Sequence, residues 1–199
     1  MPTLDFYFAP GSRYSYLATC RLPVLERKYG IEFDWIPVTG TRIRELRGAD
    51  PFKGPPVSGQ YDWGYRRRDA EAWAAYYGAP YREPRDIHFD TELLTRAATA
   101  ARRMGRGKDY AIALTAEVYA LGSWPLDDAL CRRVAQDRGL DKEKFSSLLD
   151  DPETADMVEQ ACRQAVDRGV FGVPSCFVGE AMYWGNDRLV LVEEALKKL

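Results

Sequence analysis

Two serines, Ser12 and Ser15, are separated by two residues in "APGSRYSYLATC", residues 9–20. They lie between an apolar run and a helical pattern, a junction at which many redox proteins carry a Cys-x-x-Cys pair. Hydroxyl groups cannot exchange disulfides, but the N–H groups and the dipole at a helix start favour an anion. Ser12 is therefore a candidate hydrogen-bond donor to the thiolate of a bound thiol cofactor.

The strength of that interaction can be bounded. A hydrogen bond to a charged group contributes about 1.5–3 kcal/mol, and the helix dipole adds about 0.3–1 kcal/mol. Together they predict that the pKa of a thiol bound at Ser12 falls by roughly one to three units. The alternative role of Ser12 is to cap the helix alone, a contribution of about 1 kcal/mol.

Two further segments could bind other parts of the same cofactor. In "GVFGVPS", residues 169–175, the proline favours an extended Val173. With a cis Val173–Pro174 bond, the backbone of Val173 would pair with an extended peptide; the simpler interpretation is a proline that begins a strand. In "YWGNDRL", residues 183–189, Asn186 and Asp187 could bind an α-carboxylate and an α-ammonium group, or could only cap the last helix.

The composition is typical of a globular enzyme. Of 199 residues, 46% are apolar and 29% charged, and the net charge of −2 argues against nucleic acid as the main partner. The basic stretch over residues 66–108 is either a solvated helical face or a surface that attracts an anionic small molecule. We expect neither a signal peptide nor a membrane span, because residues 1–8 lack a basic stretch and no apolar run is long enough.

Cysteine and histidine are sparse. The four cysteines (Cys20, Cys131, Cys162 and Cys176) show neither a Cys-x-x-Cys pair nor metal-binding spacing, which predicts free thiols in a reducing cytoplasm. His88 is the only histidine and has polar neighbours. We therefore interpret it as a loop residue rather than a catalytic base, and we expect no metal site.

The hydrophobic pattern predicts three blocks of structure. Residues 4–8 and 31–38 have strand patterns on either side of a helix over residues 13–29, which Pro23 is expected to interrupt or kink. Residues 40–65 show little periodicity and predict a long connection. Five or six helices follow, the first beginning at Asp69, and residues 175–185 then form a hairpin before a last helix capped by Asn186 or Asp187.

This order predicts an α/β, thioredoxin-like fold, βαβ…ββα around one mixed sheet, with a large all-helical insertion. The thioredoxin-like domain is discontinuous and consists of residues 1–40 and 170–199. Residues 41–169 form the inserted helical domain and include a substrate-binding connection. The strand–helix–strand unit implies a right-handed parallel crossover.

Both ends of the chain resemble the 2-hydroxychromene-2-carboxylate isomerases and the related kappa-class glutathione transferases. "FAPGSRYSYL" (8–17) follows the family's F-D-F-x-S-P-[YF]-S-Y-L and puts Ser12 at the catalytic serine. "VFGVPSCFVGEAMYWGNDRL" (170–189) follows V-F-G-V-P-T…W-G-N-D-R-L, and "YRRRDAEAW" (65–73) is similar to Y-x-K-x-D-x-x-x-W. The DsbA-type oxidoreductases share the architecture but carry cysteines in place of Ser12 and Ser15.

The resemblance implies glutathione as the cofactor and cis–trans isomerisation of an aromatic chromene acid to a benzylidenepyruvate, a step of aromatic catabolism. It also implies a homodimer. The cofactor contacts it implies are Ser12 for the thiolate, Val173 and Pro174 for the cysteinyl backbone, Asn186 and Asp187 for the γ-glutamyl end, and Arg67 for the glycyl carboxylate. The aromatic substrate would lie against Arg13, Trp63, Tyr65 and Trp184, with Tyr61 as a further candidate and Trp73 as a core residue.

The sequence departs from the family pattern at Ala9, Pro10 and Arg13, and it lacks the asparagine that relatives carry in the middle segment. Thiol activation should survive these changes, whereas recognition of the particular substrate need not. Two alternatives stay open: a kappa-like transferase or peroxidase that consumes glutathione, and a non-catalytic thioredoxin-fold protein that only binds it.

Overall fold

The computed structural model describes residues 4–48, 62–84, 86 and 88–199. Within these residues one mixed sheet has the strand order β2-β1-β3-β4. The strands are β1 (Leu4–Phe8), β2 (Asp34–Pro37), β3 (Ser175–Val178) and β4 (Ala181–Trp184). β1 is parallel to β2 and antiparallel to β3, and β3 is antiparallel to β4. The predicted thioredoxin-like order is confirmed.

Nine α-helices pack around this sheet in the described residues. They are α1 (Arg13–Tyr29), α2 (Gly40–Arg47), α3 (Trp63–Tyr77), α4 (Thr91–Arg103), α5 (Gly107–Ala116), α6 (Asp128–Asp137), α7 (Lys142–Asp150), α8 (Pro152–Asp167) and α9 (Leu189–Leu196). A π-helical segment, Glu117–Leu121, continues α5, and a 3-10 turn, Asn186–Arg188, precedes α9. No helix of the described residues is long and apolar enough to cross a bilayer.

The structure corrects the connection predicted over residues 40–65. Its first part is the helix α2, whose only buried side chain is Ile43, and one buried position is too weak a pattern to recognise in a sequence. α3 begins at Trp63 rather than Asp69, because the Asp62 side chain caps it by accepting from the Tyr65 N–H at 2.8 Å. Five or six helices are predicted after this segment, and the described residues form six, α3 to α8. α1 is not interrupted at Pro23.

The core occupies both faces of the sheet because side chains alternate along β1. Phe6 and Phe8 pack on one face with Trp35, α1 and most of the inserted helices. Tyr7 packs on the other face with Phe177 and with apolar side chains of α2 and α8. Residues 41–169 therefore supply part of the layer on this second face, and the domain division at residues 41 and 169 stays a prediction.

Candidate functional site

Ser12 begins α1 at the carboxyl end of the central strand β1. Its hydroxyl oxygen accepts a hydrogen bond from the Ser15 N–H at 3.3 Å, which confirms a cap. Ser15 is fully buried, and its Oγ accepts from the Ala9 N–H at 3.2 Å. The second serine therefore holds the turn together. Among the described residues none accepts the hydroxyl hydrogen of Ser12, which is half-buried and free to donate.

The first turn of α1 also presents two unused backbone donors. In the part of the chain that the structure describes, nothing accepts from the N–H groups of Arg13 and Tyr14. The turn contains no acidic side chain that could neutralise it. Orphan N–H groups give a helix start its partial positive charge. This helix start is therefore suited to an anion, a thiolate included.

The turn before Ser12 is fixed by side chains from the inserted residues 41–169. The Tyr119 hydroxyl donates to the Gly11 C=O at 2.6 Å. A Cβ at Gly11 would lie 2.8 Å from the Thr91 Cγ2 and 2.9 Å from the Phe89 ring, so this approach requires glycine. Tyr119 belongs to the π-helical segment, a type of irregularity found frequently at functional sites. The sequence offers no signal for this role, because Tyr119 occupies an ordinary apolar position of a helix.

Tyr119 lies in a stack of three tyrosine rings beside the Ser12 turn. Its ring centroid lies 5.9 Å from that of Tyr16 and 6.2 Å from that of Tyr81. Burial is the largest cause that raises the pKa of all three phenols above the ordinary value of 10.0. They therefore stay protonated at neutral pH and act as hydrogen-bond donors, Tyr16 to the Pro80 C=O.

Arg13, directly after Ser12, is buried and already engaged. Its Nη1 lies 3.0 Å from the Glu83 Oε1, and its guanidinium carbon lies 4.1 Å from the centre of the Trp63 ring. Glu83 also accepts from the Tyr81 hydroxyl at 2.7 Å. The structure thus brings together two residues that the sequence assigned to the substrate, Arg13 and Trp63. Their contact with a substrate stays a prediction, and Glu83, in a polar loop without periodicity, was missed.

Val173 lies in the bend that precedes β3, the strand next to β1. The Val173–Pro174 bond is cis, as the resemblance implied. The register of β1 and β3 ends at the pair Tyr7–Ser175, and Val173, two residues before Ser175, comes at the same end of the sheet as Ala9, two residues after Tyr7. Among the described residues no hydrogen bond uses the backbone N–H or C=O of Val173. This backbone edge is therefore open to an extended peptide.

An exposed aromatic pair borders the same loop. The Phe171 and Trp184 rings lie 4.9 Å apart between centroids, and both are partly exposed. A Cβ at Gly172 would lie 2.5 Å from the Trp184 Nε1, so the absence of a side chain there lets the indole lie against the loop. The contact of Trp184 with a substrate stays a prediction. Phe171 belonged to a quoted motif but was not assigned a role.

Asn186 and Asp187 are held next to this loop, because the Gly185 N–H donates to the Pro174 C=O at 2.9 Å. The prediction that either side chain caps the last helix is wrong: a 3-10 turn comes first, and neither makes a capping hydrogen bond. Asn186 is 2% exposed, and its Nδ2 finds no partner among the described residues. A buried donor left unpaired costs about 1–3 kcal/mol, so Nδ2 is a candidate for a ligand oxygen.

The remaining sequence candidates are less tied to this turn. Tyr65 is about half exposed, and Arg67 lies 3.5 Å from Glu71 as an exposed ion pair. None of the contacts between described residues joins Tyr65 or Arg67 to Ser12, and Tyr61 lies outside the described residues. His88 is exposed and contacts Asp86 at 3.0 Å. The four cysteines are free thiols, as predicted.

Comparison with known proteins places this architecture in a family. A family model described as a DSBA-like thioredoxin domain matches residues 3–197, and the chain belongs to that family. Within it, the chain is 33% identical to a 2-hydroxychromene-2-carboxylate isomerase of Sphingobium xenophagum, over 98% of this chain and 97% of the relative. It is 28% identical to the isomerase of that name from Pseudomonas putida, over 98% and 95%.

A solved structure supports the same relation. The structure of a 2-hydroxychromene-2-carboxylate isomerase superposes with a TM-score of 0.86 at 27% identity, covering 98% of this chain and 95% of that one. The chain is therefore an isomerase-like member of the DSBA-like thioredoxin family, similar to these enzymes over its whole length.

Proposed function

We propose that this protein is a glutathione-dependent cis–trans isomerase of the 2-hydroxychromene-2-carboxylate isomerase type. The observation that carries the proposal is the start of α1, where no described residue accepts from the hydroxyl of Ser12 or from two N–H groups, at the end of the sheet where Val173 precedes β3. The full-length similarity to enzymes of that name supports it.

The hydrogen-bonding groups around the start of α1 fit the tripeptide glutathione. The hydroxyl of Ser12 and the N–H groups of α1 suit the thiolate, and the edge of Val173 suits the cysteinyl backbone. The unpaired Nδ2 of Asn186 suits the γ-glutamyl carboxylate, with the carboxylate of Asp187 for its ammonium group. For the glycyl carboxylate, Arg67 remains the proposed partner.

When bound, glutathione supplies a thiolate that adds reversibly to the double bond of the ring-opened substrate, so that the bond can rotate before the thiol leaves. The residues of this chain hold that thiol in its ionised form by hydrogen bonding and by the helix dipole. The exposed rings of Trp63, Tyr65 and Trp184 would bind the flat aromatic part of the substrate. Because Tyr16, Tyr81 and Tyr119 stay protonated, these three rings beside Ser12 add no negative charge of their own.

An isomerase assay on a panel of chromene carboxylic acids, with and without glutathione, tests the proposal. We expect turnover only when glutathione is present, and total thiol unchanged after many turnovers. Thiol that disappears with turnover would favour a kappa-like transferase or peroxidase instead. Binding of glutathione by calorimetry without turnover of any acid would favour a binding protein, and absence of binding would contradict the proposal altogether.

A further inference from the structure

Arg13 and Glu83 form a buried charge pair next to Ser12, and the positive partner occupies a position that the helix dipole disfavours. A positive side chain in the first turn opposes the helix dipole, yet Arg13 is the first residue of α1. The side chains of Arg13 and Glu83 are only 5% and 8% exposed, with Nη1 and Oε1 3.0 Å apart. Tyr81 and Trp63 fix the carboxylate and the guanidinium, respectively. The Arg13 Nη1 makes no hydrogen bond among the described residues, so charge and these two contacts hold the pair together, with Arg13 directly after Ser12.

The fields of both partners reach the Ser12 turn. Tyr119 donates to the Gly11 C=O, one residue before Ser12. Beyond the dominant effect of burial, the charge of Arg13 lowers the pKa of Tyr119 and the charge of Glu83 raises it. The two members of the pair thus act at this turn with opposite signs.

Other charged groups lie around the same turn and also affect the pKa of a thiol bound there. From α3, the Arg66 guanidinium lies 5.5 Å from the centre of the Tyr14 ring, and Asp69 accepts from the Tyr14 hydroxyl at 2.9 Å. Burial, followed by this hydrogen bond, raises the pKa of Tyr14 to about 12, so it stays neutral. From the 3-10 turn after β4, Asp187 adds a carboxylate that lies 3.3 Å from the Arg188 guanidinium. All of these groups remain unchanged when only the pair is altered.

We propose that Arg13 and Glu83 are positioning residues that balance the charge at the thiol-binding helix start, Arg13 favouring the thiolate and Glu83 opposing it. This inference rests on the proposed use of glutathione. It assigns Arg13 a role through the bound thiol rather than as a partner for the substrate, because its guanidinium lies against the Glu83 carboxylate and the Trp63 ring. Arg13 is one of the positions at which the sequence departs from the family pattern given above.

A double-mutant cycle tests the balance. The pKa of bound glutathione is measured by the ultraviolet absorbance of its thiolate in the unaltered protein, Glu83→Gln, Arg13→Gln and the double variant. A unit charge at about 10 Å near a protein surface changes a pKa by about one unit. We expect a fall of about one unit in Glu83→Gln, a rise of about one unit in Arg13→Gln, and a return to the starting value in the double variant.

Controls separate this role from simple stability. Arg13→Lys keeps the charge and should restore most of the shift seen in Arg13→Gln. Glu193 of α9 pairs at 2.9 Å with Arg21, which lies farther along α1 than Arg13. Glu193→Gln removes this carboxylate and should leave the pKa of the bound thiol unchanged. If Arg13→Gln does not fold, the other variants still test the proposal. A pKa of bound glutathione that is lower in Glu83→Gln than in the double variant supports it.

Two results would overturn the inference in distinguishable ways. Normal glutathione affinity with the same thiol pKa in all four proteins, or with shifts of one sign, would show that the pair is only structural and would leave the proposed function intact. No glutathione binding by the unaltered protein would remove both the proposed function and this inference.

Discussion

The starts of α1 and α8 are both capped by short polar side chains, but they are built differently. At α8, Asp151 accepts from the Glu153 N–H at 3.0 Å, Pro152 fills the first position, and Arg103 lies 2.6 Å from the Asp151 carboxylate. The cap, the proline and the acidic Glu153 of the first turn match what stabilises a helix start, and Arg103 neutralises the capping carboxylate. At α1 the Ser12 cap is longer, at 3.3 Å, and the first turn contains no acid.

The difference indicates that the start of α1 is the better suited of the two to an anion. A start that is neutralised by its own side chains, as in α8, has no remaining attraction for an anion. The start of α1 keeps donors from which no described residue accepts, and Arg13 at its first position is paired with Glu83. Its stability comes instead from the buried Ser15 and from Tyr119, which fix the turn without using the donors.

The largest expected effect is that of Ser12→Ala. Loss of the hydroxyl donor should raise the pKa of bound glutathione by about one to two units, since a hydrogen bond to a charged group contributes about 1.5–3 kcal/mol. Turnover at neutral pH should fall by about tenfold or more. Ser12→Thr keeps a hydroxyl and serves as the control. An unchanged thiolate titration in Ser12→Ala would reduce Ser12 to a helix cap.

Tyr119→Phe should have the next largest effect. It leaves the Gly11 C=O without its donor, which should lower the free energy of unfolding by about 1–2 kcal/mol and weaken glutathione binding. Urea denaturation and calorimetry measure the two effects. Tyr16→Phe is the matched control, because it removes a hydroxyl from the same stack that bonds to Pro80 instead. Equal loss of glutathione affinity in both variants would contradict a specific role for Tyr119.

Asp151→Ala completes the comparison of the two helix starts. Loss of the cap should lower the Tm by about 2–4 °C. The thiol pKa and the turnover should not change, because this helix start binds no ligand. Differential scanning calorimetry with the isomerase assay checks both statements. A change in thiol pKa comparable to that of Ser12→Ala would show that helix starts are not specialised as described.

The smallest effect is a dependence of stability on pH at the junction of α2 and α8. Hydrogen bonds from Arg42, at 2.7 and 2.8 Å, lower the pKa of Glu159 to about 2. A carboxylate with a lowered pKa contributes stability above its unfolded value of about 4.3 and loses it as the pH falls toward 2. Because the pair is partly exposed, the contribution is below about 1 kcal/mol. Glu159→Gln should therefore differ from the unaltered protein in urea at neutral pH and not in acid.

Much of the fold follows from local pattern, whereas the site depends on contacts between distant residues. Strand alternation and caps such as Asp151 predict elements because they act within a few residues of the chain. α2 was missed because it buries a single side chain, Ile43. Ser12, Val173 and Asn186 could be predicted because each lies in a short motif. Glu83 and Tyr119 could not, since their partners, Arg13 and Gly11, lie 70 and 108 residues away.

A crystal structure of the protein with glutathione tests the central claim most directly. We expect the sulfur atom of glutathione to lie within hydrogen-bonding distance of the Ser12 Oγ at the start of α1, with the cysteinyl backbone paired to Val173. A complex in which the sulfur lies away from Ser12, with the hydroxyl still donating to no ligand, would contradict it.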